Sequence, residues 1–82
     1  MKFTQEHIQQ LNLLLQFDLS SRATGIKVHN SADSDVKDAV SQLFEKGLCT
    51  QHDGGYLTDE GIVLAEHAEK LLHVLARDTA CV

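Results

Sequence analysis

The chain has 82 residues, 43% of them hydrophobic and 5% aromatic, with no proline and no tryptophan. That length makes one domain, residues 1–82, with a core of Leu, Val, Ile and Ala, near the size at which burial becomes marginal and self-association often helps. The hydrophobic content is that of a globular chain, so disorder is not expected, and twelve acidic against seven basic residues give a formal charge of −5, which favours solubility and repels phosphate backbones and anionic membranes at long range.

Met1-Lys2-Phe3-Thr4 leads directly into polar residues, and no apolar run approaches the ~20 residues of a membrane span, so neither a signal peptide nor a span is expected and the chain is expected in the cytoplasm. The first helix begins after Thr4, a good N-cap. Glu6 complements the first turn, and Phe3 with Ile8 has the spacing of a hydrophobic staple. Ile8, Leu11, Leu14 and Leu15 follow the helical period, Leu13 and Phe17 widen the stripe, and Gln5, Gln9, Gln10 and Asn12 are expected to face water. Asp18, Ser20 and Ser21 then suggest a turn or a short helical cap. Gly25 introduces Ile26-Lys27-Val28-His29, whose alternation predicts a short strand.

Asp33 and Ser34 are both suitable N-caps for the second long helix, in which Val36, Val40, Leu43 and Phe44 form the buried face. Gly47 fits the left-handed position after Lys46, with Leu48 reaching back to Leu43 in a Schellman ending. Residues 48–52 and 56–58 then flank Asp53-Gly54-Gly55 as a hairpin, with positive φ expected at the Asp-Gly turn positions. Thr58 caps the last helix, Asp59 and Glu60 complement its dipole, and Leu57 with Ile62 repeats the staple spacing. Its apolar stripe is Leu64, Ala65, Ala68, Leu71, Leu72 and Leu75, and about 20 residues would make a helix of roughly 30 Å.

The order helix, strand, helix, hairpin, long helix, with Phe44-Glu45-Lys46-Gly47-Leu48 and Asp53-Gly54-Gly55-Tyr56-Leu57-Thr58-Asp59-Glu60-Gly61, resembles the winged-helix transcription regulators. The resemblance implies that the helix ending at Gly47 is a recognition helix, that the hairpin is the wing, and that the Leu57-Thr58-x-x-Gly61 segment opens a helix that often dimerises. Over nearly its whole length the chain also resembles a family of short uncharacterised bacterial proteins with segments like Gly25-Ile26-Lys27-Val28-His29 and Glu45-Lys46-Gly47-Leu48. A full winged helix has one more helix before the recognition helix. His29 to Ala32 is too short to hold it, so it would have to fit into Leu19 to Thr24. The expected fold is α+β, mainly α, and winged-helix-like.

Two classes of function follow. As a small regulatory DNA-binding protein, the chain would use Lys27, Lys37, Ser41, Gln42 and His52, although Asp35, Asp38 and Glu45 share the second helix's outer face and subtract from phosphate affinity. As a protein-interaction module, it would use Ile62, Val63 and Val74, joined by Ala80, Cys81 and Val82, to form a homodimer or hold an unidentified protein partner, leaving the acidic face for a basic one. Cys49 and Cys81 are expected as free thiols. Cys49-x-x-His52 has a C-x-x-H spacing but too few ligands, His67 and His73 are six apart and not on one helix face, and no phosphate loop or nucleophile elbow occurs, so neither catalysis nor a metal or cofactor is expected.

Overall fold

A computed structural model describes residues 1–21 and 24–77. The elements run α1 (Gln5–Leu14), β1 (Ile26–Lys27), α2 (Ser34–Glu45), β2 (Cys49–Gln51), β3 (Gly54–Leu57) and α3 (Asp59–Leu75). This is a small α+β fold, about half helical, whose layout is compatible with a winged-helix-like arrangement. The three strands form one antiparallel sheet in the order β1-β3-β2, with Ile26 opposite Gly55 and Cys49 opposite Leu57.

The helix ends follow local chemistry. Thr4 Oγ1 accepts from the His7 N–H at 3.2 Å, and His7 Nδ1 accepts from the Thr4 N–H at 3.1 Å, a reciprocal box closed by histidine in place of the usual Glu or Gln. At the expected staple positions Phe3 is 63% exposed and meets His7 edge-on, and Ile8 also lies at the surface. Asp33 is the N-cap of α2 by position, but its side chain makes no capping bond. At the other end of α2, Gly47 at φ +76° donates to the Phe44 carbonyl and Leu48 donates to the Leu43 carbonyl, the two bonds of a Schellman motif.

The core gathers Leu13, Leu14, Phe17, Ala39, Val40, Leu43, Leu48, Cys49 and Ala65, with Val36 and Phe44 partly buried against it. The predicted apolar face of α2 therefore points inward as a unit. Gln10, expected in water, is buried, and its Oε1 accepts from Lys46 Nζ at 2.7 Å. This bond ties α1 to the end of α2 and satisfies the amide that burial would otherwise strand.

One further expectation is corrected. The hairpin turn is His52-Asp53, one residue earlier than expected, and Asp53 has negative φ; the positive values fall on Gly54 and Gly55, already inside β3, where the pairing shifts register. A bulge of this kind moves the left-handed requirement past the turn and onto the glycines. Between α1 and β1, Arg22 and Ala23 lie outside the described residues. The described part of Leu19 to Thr24 holds successive turns, from the Ser21 N–H to the Asp18 carbonyl and from the Thr24 N–H to the Ser21 carbonyl. The Ser20 hydroxyl and N–H both donate to Asp18 Oδ1, and these bonds hold its carboxyl below the usual carboxylate range.

Candidate functional site

The residues nominated for nucleic acid fall in three places. Lys27 is exposed on β1, and Lys37 is exposed on α2, with its Nζ donating to the Asn30 carbonyl at 3.2 Å. His52 sits at the hairpin turn, its ring 4.1 Å from that of Phe44 and tilted by 40°. Ser41 and Gln42 line a groove of about 190 Å³ between α1 and α2. Glu6, Asp38 and Glu45 line that groove with Gln9 and Gln10, and no cation is among the lining residues. A phosphate entering it would meet three carboxylates, and the nearest ammonium, that of Lys46, is engaged on Gln10 at its edge.

Cys49 and His52 are not brought together as a ligand pair. The Cys49 side chain is buried and its Sγ donates to the Gln51 carbonyl at 3.3 Å, whereas His52 is exposed against Phe44. Among the described residues no three His, Cys, Asp or Glu side chains are grouped so that they could hold a metal ion. Burial raises the Cys49 thiol above its ordinary range; a backbone hydrogen bond at Gln51 offsets part of this, and the Asp53 carboxylate adds to it. The folded thiol therefore keeps its proton to a higher pH than the unfolded one, so its contribution to stability is complete below the ordinary thiol range and drains away as pH rises through it. In a Cys81→Ser chain, Ellman's reagent at pH 8 should label Cys49 only as fast as the fold opens, and urea stability should fall above about pH 9. Immediate stoichiometric labelling of the folded chain would contradict the buried thiol.

The apolar residues on α3 have a different distribution from the acidic groove. Gly61, Ala65 and Ala68 are buried on its inner face. Leu72 continues that row one turn beyond Ala68 yet is 47% exposed, because the body beneath the helix has ended. Leu71 is 38% and Leu75 73% exposed, and beside them on α1 Ile8 is 41% exposed. With Leu11, Leu15, Ala68 and the single polar residue Asn12 they line a shallow groove of about 110 Å³ that contains no charged side chain. The radius of gyration is 13.5 Å, against roughly 12 Å for a compact chain of this length.

Sequence reasoning assigned these residues to the core, since periodicity identifies an apolar face without saying how far the rest of the chain extends along it. Of the residues it nominated for association, Ile62 is half-buried and lines a small cavity with Phe17 and Leu57, and Val63 and Val74 are exposed. Ala80, Cys81 and Val82 lie outside the described residues. No helix among the described residues is long and apolar enough to cross a membrane.

No curated protein and no solved structure matches the chain. The model of the Family of unknown function (DUF5669) matches residues 1–76, which take in every element from α1 to α3, and the chain belongs to that family.

Proposed function

We propose that the protein is a non-enzymatic binding domain that works through protein contact, using the apolar face shared by α1 and α3. The observation that carries this reading is the continuous uncharged surface of Ile8, Leu11, Leu15, Leu71, Leu72 and Leu75, all of them exposed or half-buried. An apolar patch is costly to leave in water, and the largest one on a small domain is often a functional surface. The groove beside α2 argues in the same direction, because its carboxylates oppose the phosphate contacts that dominate nucleic-acid affinity.

The test uses a photoreactive amino acid placed at Leu75 or at Gln42 in the native cell. Position 75 is expected to cross-link to protein, and position 42 to give no nucleic-acid adduct. In vitro, duplex DNA is expected to bind more weakly than about 10⁻⁴ M at physiological salt. Nucleic-acid adducts at position 42, or tighter duplex binding that weakens steeply with salt, would overturn the proposal in favour of a DNA-binding regulator.

A further inference from the structure

We infer that the partner on the α1/α3 face is a second copy of this chain, paired about a two-fold axis so that Leu72 and Leu75 of each protomer rest on the Ile8, Leu11, Leu15 and Ala68 surface of the other. The inference rests on the reading of this face as an interaction surface and adds the identity of what covers it.

Charge is the first argument. Two chains of −5 each repel one another, so self-association needs a contact surface free of the chain's own acids. The α1/α3 groove has such a lining, with Asn12 as its one polar residue. On α1, the exposed Gln5, three residues before Ile8, is also uncharged. A basic partner would leave its cations without counter-charges on this face, whereas the acidic groove between α1 and α2 would suit it better.

Area is the second. At roughly 200 Å² for a fully exposed Leu or Ile, the exposed fractions of Ile8, Leu71, Leu72 and Leu75 amount to about 400 Å² of apolar surface. A standard interface takes about 800 Å² from each partner, some 65% of it apolar in homodimers. These four residues, with half-buried Leu11 and Leu15, match the apolar centre of one such interface.

Shape is the third. A two-fold contact uses the same patch twice, so the patch must carry both a projection and a recess that receives it. Here the buried Ala68 lies among larger neighbours in the groove, and Leu75, the most exposed of its lining leucines, stands at the end of α3. Pairing the two copies would bring α1 and α3 of both into one four-helix layer and cover the part of α3 that outruns its own core.

Sedimentation equilibrium or light scattering on the full chain tests the inference. The wild-type chain is expected at twice the chain mass near 100 µM, and Leu75→Glu and Ile8→Glu are each expected to raise the dimer dissociation constant about 100-fold, since a carboxylate is driven into an apolar contact. Val63→Glu, an exposed position outside the groove lining, should shift it less than about 3-fold, as should raising salt from 50 to 500 mM. Far-UV circular dichroism of Leu75→Glu should match wild type, because the residue is exposed in the single chain. A wild-type monomer at millimolar concentration, or a dimer that survives Leu75→Glu, overturns the inference. A monomer that still gives the position-75 cross-link to a different polypeptide overturns the second copy and leaves the interaction face standing. Failure of both experiments removes both.

Discussion

Gly61→Ala is expected to destabilise the domain by about 2–3 kcal/mol, although alanine is the better helix former by about 1 kcal/mol. Gly61 is buried in the first turn of α3, where the helix runs directly over the backbone of Leu48. A Cβ at this position would overlap the Leu48 carbonyl oxygen and come within 3.0 Å of its carbon. Because the obstruction is backbone, no rotamer change relieves it, and the start of α3 must move away. That movement strains a set of bonds that meet here. The Thr58 N–H donates to the same Leu48 carbonyl at 3.1 Å, the Thr58 hydroxyl donates to the Gly47 carbonyl at 2.6 Å, and the Gly61 N–H donates to the Thr58 hydroxyl at 3.1 Å. The steric term therefore exceeds the propensity gain, and the melting temperature should drop by roughly 10–20 °C for a domain of this size. Gly47→Ala is the control: nothing lies within 4 Å of its added Cβ, so only the left-handed φ opposes it and about 1–2 kcal/mol is expected. A Gly61→Ala chain as stable as wild type in urea would mean that α3 does not approach Leu48 this closely.

The same junction shows what could be read from the residues alone. Thr4, Gly47, Leu48 and Thr58 act on neighbours three to five positions away, so spacing was enough to place three helix ends. Features set at long range were not legible. Gln10 looks like one more solvated glutamine of α1 until Lys46, thirty-six positions on, supplies its partner. The hairpin was recognised but its turn was misplaced, because the bulge between Cys49 and Gln51 depends on how the two strands register, which the Asp-Gly signal does not report. The α1/α3 face was legible as apolar and illegible as uncovered. Leu72 falls in the same helical row as Ala65 and Ala68, and only the physical extent of the body beneath α3 separates a core leucine from an exposed one.

That distinction has a measurable consequence in the contrast between Leu43 and Leu75. Leu43 is 1% exposed in the centre of the core cluster, on the α2 face packed against the rest of the domain, and its carbonyl accepts the Leu48 bond that ends the helix. Leu43→Ala should cost about 3–4 kcal/mol, the lost transfer energy plus a cavity that surrounding helices cannot fully close. A domain of this length has roughly 4–12 kcal/mol of stability in total, so the loss takes between about a quarter and nearly all of it. Leu75→Ala removes the same atoms from a residue 73% exposed and should change the stability of the single chain by less than about 0.5 kcal/mol. If the second copy covers Leu75, however, its variant should lose stability only at concentrations where wild type is paired, because pairing stabilises the fold by mass action. Urea unfolding at about 1 µM and 100 µM separates the two: Leu43→Ala should be weakened at both, and Leu75→Ala only at the higher. A Leu43→Ala chain within 1 kcal/mol of wild type at both concentrations would contradict the core described here, since no other leucine but Leu14 is buried as completely.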